Sequence, residues 1–332
     1  MARHVIIADF KKRDKWDFQN AIERETFRSW DVLYYQTNQY HGSKIKILFR
    51  YVMYFIFSFK VFLVRNRYDQ IVAWQQFYGL ILAFFCRFFH VKVAPEIYIM
   101  TFIYKPKTPL YRNFIRYIVS SDYITKLIVL SDEEKKYYAN LFDISEDKFH
   151  CTRIGVADQS SEFPPDLNKK KYYLSVGRSN RDYKFLRNAW KKEYGELIII
   201  CDSYREEQKE GITVLEKCHG DEYLRYVSNC YAQVIALEDE NISSGSLSFL
   251  QAMMLSKPTI VTENKTVHDY IESERTGIII EKTSLALSSA IAYLENESKY
   301  KAMCLEVRQE YISKYSEDSL GIDISRLLNG HE

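Results

Sequence analysis

Short apolar runs alternate with longer amphipathic stretches along the whole chain of 332 residues. This alternation is typical of parallel sheets wrapped by helices, and it constrains the fold more than any other feature of the sequence. In the first half it predicts strands at residues 4–9, 31–36, 69–74, 91–96 and 126–131. In the second half it predicts strands at residues 172–177, 197–202, 212–215, 233–237, 258–262 and 277–281. We therefore expect two doubly wound α/β domains.

The periodicity breaks between residues 155 and 171, where serine and proline pairs precede a run of lysines. Such a stretch interrupts helices and strands, so we place the domain boundary there. The first domain is expected at residues 1–160 and the second at residues 168–305. Residues 306–332 have the pattern of polar helices. With only 11 glycines and 6 prolines, the chain does not have a linker-like composition.

Six cysteines lie far apart in the sequence, mostly in apolar segments, and none forms a Cys-x-x-Cys pair. This spacing favours buried free thiols in a reducing compartment over a disulfide framework or a zinc site. The first residues pass from a single charge directly into an apolar run that ends at Asp9, without the features of a secretory signal. We therefore expect a cytoplasmic protein.

Charge is distributed unevenly between the two halves. Residues 1–160 contain 24 Lys and Arg against 16 Asp and Glu, whereas residues 161–332 contain 22 against 28. The excess of basic residues is strongest between residues 40 and 130, which hold 13 basic and three acidic residues and 23 of the 51 aromatic residues. This composition indicates a partner with anionic groups and an apolar body.

The most apolar segment, residues 51–59, is too short in this reading to span a bilayer, which takes about 20 residues. Its aromatic centre and basic flanks favour a helix in the headgroup region of an anionic membrane. The alternative is a buried helix whose lysines reach outward to solvent. No nucleic-acid motif accompanies the aromatic residues, so we expect no nucleic-acid partner. The expected membrane contacts are Lys44, Lys46, Arg50, Lys60, Arg65 and Arg67.

Two segments of the second half have the pattern of an anion site. A predicted strand ends at Gly177, Arg178 follows at once, and Lys184 lies six residues later at the start of a helix. A glycine lets a ligand approach the backbone, and two cations with a helix N-terminus suit a diphosphate. An ordinary turn with solvated basic residues is the alternative for this segment.

The second segment is a polar loop that enters a helix after a predicted strand. Backbone N–H groups at such a helix start can receive phosphate or sugar oxygens, and Gln251 lies further along the same helix. The alternative is a helix that is simply capped. The residues of this loop that we expect to bind such a ligand are Ser243, Ser244, Gly245, Ser246 and Leu247.

About a hundred residues of the second half resemble the donor-binding half of retaining GT-B glycosyltransferases of family 4, and in particular a bacterial surface-polysaccharide branch of that family. The resemblance is carried, in order along the chain, by Val176-Gly177-Arg178 with Lys184, Gln251-Ala252-Met253, 256–262, 269–271 and 276–278. It implies two Rossmann-like domains that face each other across a cleft, with the C-terminal helices returning toward the first domain. It also implies that Arg178 and Lys184 grip the diphosphate of a nucleotide sugar.

The chain departs from the family pattern at several positions. The two family glutamates map onto Ser243 and Gln251; an amide at Gln251 can still bond ribose hydroxyls. The usual glycine-rich turn after the first strand is absent. In the first domain the polar candidates for the cleft are Asp9 and Glu96, which end predicted strands, and His41 is a weaker candidate. Each of the three is equally compatible with a cap, a salt bridge or a turn.

The resemblance implies transfer of a sugar, expected from a UDP-sugar, to a lipid-linked or membrane-bound glycan with retention of configuration. Beyond this substrate no cofactor is expected. No metal is expected either, because the chain lacks an Asp-x-Asp motif and its acidic residues 238–240 suit a solvated loop. Two alternatives remain: an inverting GT-B enzyme or epimerase, and a non-catalytic partner subunit of another glycosyltransferase.

Overall fold

The structure is a computed structural model that describes residues 3–11, 13–37, 43–105, 108–166, 168, 170–204, 209–239, 245–264 and 267–330. It divides into two compact units. The first comprises the chain up to Ile154 together with the residues from Asp318 onward, and the second is Gly155–Glu317. The segment 306–332 is thus divided, and only its residues from Asp318 onward group with the first unit.

The first unit contains a parallel sheet of six strands among the described residues, in the order β2-β1-β3-β4-β5-β6. Its strands are β1 (His4–Ala8), β2 (Trp30–Tyr34), β3 (Gln70–Ala73), β4 (Glu96–Ile99), β5 (Lys126–Val129) and β6 (Phe149–Cys151). Its helices are α1 (Asp17–Thr26), α2 (Lys44–Val64), α3 (Gln76–Phe88), α4 (Pro109–Val119), α5 (Asp132–Phe142) and α11 (Glu317–Leu328).

The second unit contains a parallel sheet that also has six strands in the described ranges, in the order β12-β11-β10-β7-β8-β9. Its strands are β7 (Tyr172–Val176), β8 (Glu196–Ile200), β9 (Ile212–Leu215), β10 (Ala232–Ile235), β11 (Thr259–Thr262) and β12 (Ile278–Ile280). Its helices are α6 (Tyr183–Ala189), α7 (Gly220–Asn229), α8 (Ser246–Met254), α9 (Ser284–Glu295) and α10 (Glu297–Lys314).

Each sheet has one place where the chain reverses its direction of winding. In the first sheet β1 lies between β2 and β3, and in the second β7 lies between β8 and β10. The connections leave such a pair of strands toward opposite sides, which opens a crevice at their carboxyl ends. Ligands of open α/β sheets bind in this crevice, so the loops after β1 and β3 and after β7 and β10 are the places to search for a site.

The central strands are buried on both faces, which explains their unbroken apolar runs. Residues 5–8 of β1 and 71–73 of β3 have no exposed surface, and the same is true of residues 260–261 of β11. Strands covered by helices on both sides need no polar alternation. The six cysteines are free, as expected, and burial raises the pKa of Cys86 to about 11 and that of Cys230 to about 12.

One predicted strand was wrong in its bounds. Residues 91–96 were expected to form a strand that ends at Glu96, but β4 begins at Glu96 and runs to Ile99. Pro95 lacks a backbone N–H and precedes the first ladder residue, while Val93 is 78% exposed and contributes nothing to the core. Strand β6 was not predicted, because three residues are too few for periodicity to identify.

Helix α2 is longer than the apolar segment 51–59 suggested. It continues through Lys60 to Val64, so the estimate that the segment is too short to span a membrane was wrong. By length and composition, Lys44–Arg67 is the one segment of the described chain that could cross a bilayer, and 28% of its most apolar window is buried. One face of α2 packs on α3 through Tyr54, Phe57 and Phe62. A core helix of a soluble domain meets the same criteria.

The opposite face of α2 is exposed and apolar. Its side chains recur at helical spacing along the whole helix, and we call them the α2 stripe. Basic side chains accompany it: Lys44, Lys46, Lys60 and Arg67 are exposed, and Arg50 and Arg65 are half-buried. The α2 stripe consists of Ile45, Leu48, Phe49, Val52, Phe55, Ile56, Phe59 and Leu63.

Candidate functional site

The crevice between β7 and β10 begins with Gly177, the first residue after β7. Its φ of +119° lies in a region that side chains rarely adopt. The hydroxyl of Tyr183, in the first turn of α6, donates to the Gly177 carbonyl at 2.6 Å and holds the loop against the helix. The backbone at Gly177 therefore turns sharply at the carboxyl edge of the sheet, as the sequence pattern indicated.

Arg181 lies beside this glycine. Its Nε donates to the carbonyl of Val176 at 2.8 Å, and its Nη1 donates to the carbonyl of Ser179 at 2.9 Å. A Cβ added at Gly177 would lie 2.8 Å from both Nε and Nη2 of Arg181, so the guanidinium occupies the space that a side chain would fill. Glycine is required here because the arginine packs directly on the backbone.

The same guanidinium reaches the start of α8. A Cβ added at Gly245 would lie 3.4 Å from Nη2 of Arg181. Gly245 is the N-cap of α8, with a φ of +97°, and the amide of Phe249 makes the first helical bond to its carbonyl at 2.9 Å. The amides of residues 246–248 precede this bond, as at every helix N-terminus, and confer a partial positive charge there. Arg181 and the helix start thus present positive charge to one place.

Electrostatics support this reading of Arg181. Its side chain is half-buried, and this burial lowers the pKa of the guanidinium from its ordinary value. Arginine nevertheless stays charged at neutral pH because that ordinary value is so high. A guanidinium beside a helix N-terminus favours an anionic ligand, because both present N–H donors and positive charge to it.

Hydrogen bonds tie together the loops that follow four neighbouring strands. Nδ2 of Asn180 donates to the carbonyl of Asp239 at 2.9 Å, and the Asp239 amide donates back to Oδ1 of Asn180 at 2.7 Å. Asn264, after β11, also donates to the Asp239 carbonyl, at 3.2 Å. Lys282, after β12, donates to the carbonyls of Leu237 and Glu238, each at 3.1 Å. The carboxyl edge of the second sheet is therefore cross-linked around the crevice.

The two cations that the sequence nominated are more exposed than Arg181. Arg178 is exposed, and its charge adds to the Lys217 backbone N–H in holding the pKa of Asp202 below its ordinary value. Lys184 is the second residue of α6 and is exposed. Within the described ranges neither side chain makes a hydrogen bond or an ion pair. The sequence reasoning missed Arg181; its signal was a third cation in the same short loop, directly before the helix cap Asp182.

The polar loop before α8 is described only in part. Ser243 and Ser244 lie outside the described residues. Ser246 and Leu247 are the first two residues of α8, and Gln251 lies half-buried in its second turn. The structure therefore brings Gly177, Arg181 and Gly245 together, and it places Gln251 on the helix that Gly245 begins.

The first unit has a polar pair at its own crevice. Asp9 follows β1 and Gln75 follows β3, and Nε2 of Gln75 donates to Oδ2 of Asp9 at 3.1 Å. Asp9 thus lies where a ligand of the first sheet would bind. Glu96 does not, because it begins β4 and so lies at the amino edge, which corrects its placement at a cleft. His41 lies outside the described residues.

Glu238 and Asp239 follow β10, and their surroundings bear on whether a metal could bind there. Among the residues that the structure describes, no group of three or more His, Cys, Asp and Glu side chains could hold a metal ion. The contacts of Asp239 given above are made by its backbone N–H and C=O groups.

Solved structures resemble the chain along its whole length. HepE from Anabaena, crystallised with UDP-glucose, is 10% identical with a TM-score of 0.58, and 99% of this chain and 100% of HepE are covered. A glycosyltransferase from Rickettsia africae is 12% identical with a TM-score of 0.63, over 99% of this chain and 100% of that one. Sucrose-phosphate synthase from Thermosynechococcus elongatus is 13% identical with a TM-score of 0.62, over 99% of each chain.

No protein-family model and no curated protein sequence matches the chain. At 10–13% identity the structural likeness shows the fold. The chain therefore has the α/β fold of GT-B glycosyltransferases, with two six-stranded parallel sheets in its described parts. The predicted fold class is confirmed.

Proposed function

We propose that the chain is a glycosyltransferase that takes a sugar from a nucleoside diphosphate donor, a UDP-sugar, through the crevice between β7 and β10. The observation that carries this proposal is the guanidinium of Arg181, packed on Gly177 and Gly245 at the N-terminus of α8. HepE, which shares the fold, has been crystallised with UDP and with UDP-glucose. A diphosphate is the part of such a donor that a half-buried arginine and a helix N-terminus recognise.

The residues of the crevice have distinct roles in this proposal. Arg181 and the first amides of α8 bind the diphosphate and stabilise the charge that grows on it as the bond to the sugar breaks. Gln251 accepts or donates hydrogen bonds to the ribose hydroxyls. Arg178 and Lys184 add positive potential from more exposed positions. No nucleophile of the enzyme is needed if the leaving diphosphate accepts the acceptor's proton on the same face, with retention of configuration and without a metal, as in the family 4 enzymes that the sequence resembles.

The acceptor in this proposal is a lipid-linked glycan of a polysaccharide pathway, and the chain binds peripherally to the inner face of the cell membrane. The α2 stripe and its exposed lysines support this part, because an apolar helix face flanked by cations suits an anionic bilayer surface. Sedimentation with anionic and with neutral vesicles tests it. Binding to neither type, or an integral association that carbonate washing leaves intact, would contradict peripheral attachment.

A thermal-shift screen tests the donor proposal directly. Wild-type protein is heated with UDP, GDP, ADP, CMP and their common sugars, because a ligand that binds only the folded state raises its apparent stability. We expect stabilisation by UDP and one UDP-sugar, and loss of that stabilisation in Arg181→Ala. The matched control is the double variant Arg178→Ala with Lys184→Ala. It removes two cations of the same loop region, both more exposed than Arg181. Stabilisation by no nucleotide would favour a non-catalytic partner of another glycosyltransferase.

A second reaction course is favoured by one specific observation. Asp9 lies at the crevice of the first sheet with Gln75 as its partner, where a general base of an inverting enzyme would be required. NMR of the product's anomeric proton separates the two courses. Retention with Asp9→Asn still active supports the main proposal, whereas inversion together with loss of turnover in Asp9→Asn supports the inverting enzyme.

A further inference from the structure

A large cavity lies at the amino edge of the first sheet, at the opposite ends of the strands from Asp9. Its volume is about 1100 Å³, and it is bounded by the starts of β1, β3 and β4 and by the ends of α2 and α3. The proposed transferase activity assigns no role to this edge of the sheet. All of its described lining residues belong to the first unit.

Four cationic side chains line the cavity, and three of them have no carboxylate partner among the described residues. Arg3 forms an ion pair with Asp69. In the part of the chain that the structure describes, no Asp or Glu oxygen lies within ion-pair distance of Arg28, Arg65 or Lys92. The other carboxylate of the lining, Glu96, accepts hydrogen bonds from Gln70 at 2.8 Å and Tyr98 at 2.9 Å.

The two central arginines are held in place by neutral groups. Nη1 of Arg28 donates to Oε1 of Gln70 at 3.0 Å, and the Gln70 amide separates it from Glu96. Nη1 of Arg65 donates to the carbonyl of Phe62 at 2.8 Å, and its guanidinium lies over the Phe62 ring, 4.1 Å from the centroid. Nε of Arg65 is buried and makes no hydrogen bond to any described residue. Positioned, half-buried guanidinium groups with spare donors are suited to bind an oxyanion.

His4 lies in the lining beside Arg28, and its imidazole contributes little positive charge at neutral pH. Burial, together with the neighbouring Arg28, lowers the pKa of His4, and Asp69 and Glu96 only partly oppose this. The neutral imidazole is therefore favoured at pH 7. The positive charge of the cavity comes mainly from its arginines and from Lys92.

Part of the cavity wall is apolar. Phe89, which is 53% exposed, and Val93, which is 78% exposed, line it, whereas Phe62 is buried beneath the Arg65 guanidinium. The α2 stripe ends beside this wall, since Leu63 follows Phe62 and is 64% exposed. A ligand with an anionic head and an apolar part would cover both surfaces at once, whereas a purely polar anion would leave the aromatic wall in water.

We propose that this cavity binds a phosphate group through Arg28, Arg65 and Lys92, and that the apolar part of a phosphate-bearing ligand packs against Phe89 and Val93. Both a phospholipid headgroup and a free phosphate ester carry this chemistry. The proposal extends the membrane attachment suggested above, and it does not depend on the donor site. Lipid headgroups bound in the cavity would fix the orientation of α2 on a bilayer. The lysines of α2 would add a diffuse electrostatic attraction to the same anionic surface.

The experiment measures phosphate binding by the full-length chain in two arms. In one arm, calorimetry follows inorganic phosphate and glycerol 3-phosphate. In the other, sedimentation follows vesicles of phosphatidylcholine with and without phosphatidylglycerol. We expect binding in at least one arm, and a fall of about tenfold or more in Arg28→Gln with Arg65→Gln, because two charge-assisted donors are lost. The matched control, Arg112→Gln with Lys136→Gln, removes the same charge from exposed positions outside the cavity and should change binding less than about threefold.

The outcomes separate the sources of the ligand. Binding of soluble phosphates alone assigns a free phosphate ester, and binding of anionic vesicles alone assigns a lipid headgroup. Absence of binding in both arms, or an equal loss in the cavity variant and its control, overturns the proposal. Lys92→Gln, at an exposed position, provides a second test if the double variant does not fold. Stabilisation by UDP, measured on the same variants, should be unchanged, so failure of the cavity proposal and failure of the donor proposal remain distinguishable.

Discussion

The two sheets have similar architectures but different chemistry at their crevices. In the second unit the crevice between β7 and β10 holds Gly177, Gly245 and a packed guanidinium, Arg181. In the first unit the crevice between β1 and β3 holds a carboxylate and an amide, Asp9 and Gln75. The chain as a whole has more acidic residues in its second half, yet its second crevice presents the positive charge.

The difference shows that local packing, and not the net charge of each half of the chain, sets which charged groups a crevice presents. Glycines at positive φ let a guanidinium and helix amides approach one anion. The Asp9 carboxylate repels an anion. It can accept a hydrogen bond from a hydroxyl group, so a hydroxyl is the favoured ligand there. This contrast fits a phosphate-bearing donor at the second sheet and a hydroxyl-bearing acceptor at the first.

The largest expected effect is the loss of Arg181. Arg181→Ala should weaken UDP binding by about 10- to 100-fold, because hydrogen bonds to charged groups are worth about 1.5–3 kcal/mol. Calorimetric titration with UDP measures this. Lys184→Ala should weaken binding less than about threefold, since its exposed charge is screened by solvent. Equal losses of UDP affinity in the two variants would show that UDP binding does not depend specifically on the packed Arg181.

Gly177→Ala tests the same arrangement from the backbone side. The new Cβ would lie 2.8 Å from the Arg181 guanidinium at a φ of +119°, so it must displace the arginine and strain the turn. We expect about 1–3 kcal/mol lower stability to unfolding and weaker UDP binding by about tenfold. Gly220→Ala is the matched control, because Gly220 has a φ of +58° and nothing lies within 4 Å of its added Cβ. Its UDP affinity should remain unchanged, and a loss there would implicate strain alone.

Most of the fold, but less of the site, could be predicted from the sequence. The strand around Gly177 followed from its apolar run and its terminal glycine, and the structure places β7 at Tyr172–Val176. The role of Arg181 did not follow, because it depends on the approach of Gly245, 64 positions further along the chain. Glu96 was misplaced because residues 91–95 are nearly as apolar as β4 itself, and periodicity cannot separate two adjacent apolar runs.

One carboxylate in each unit, Asp323 in the first and Asp158 in the second, is expected to make the free energy of unfolding depend on pH in acid. Burial alone would raise the pKa of Asp323 and of Asp158, but hydrogen bonds from His150 and Thr152 to Asp323, and from Arg308 to Asp158, lower both below the ordinary value. A lowered folded-state pKa contributes stability that is complete above the unfolded pKa, near 3.9, and is lost as the pH falls through the folded one.

Asp323→Asn should therefore remove about 1 kcal/mol of unfolding free energy at pH 7 and flatten its decline in acid. Urea titrations from pH 7 to pH 3 measure this. Three tryptophans, Trp16, Trp30 and Trp74, report on the first unit, and Trp190 reports on the second. Asp158→Asn is the counterpart in the second unit. An unchanged slope in acid for both variants would contradict the lowered pKa values.

The smallest expected effect concerns Glu96, at the amino edge of the first sheet. Glu96→Gln keeps an oxygen that can accept from Gln70 and Tyr98, so unfolding free energy should change by less than about 0.5 kcal/mol. Glu96→Gln should change neither UDP binding nor turnover, whereas Asp9→Asn should lower turnover if the first crevice serves catalysis.

Glu96→Gln also removes a negative charge from the basic cavity, and phosphate binding there should strengthen by about two- to threefold. Loss of turnover in Glu96→Gln would return this carboxylate to the catalytic candidates, and weaker phosphate binding would contradict the charge assigned to the cavity.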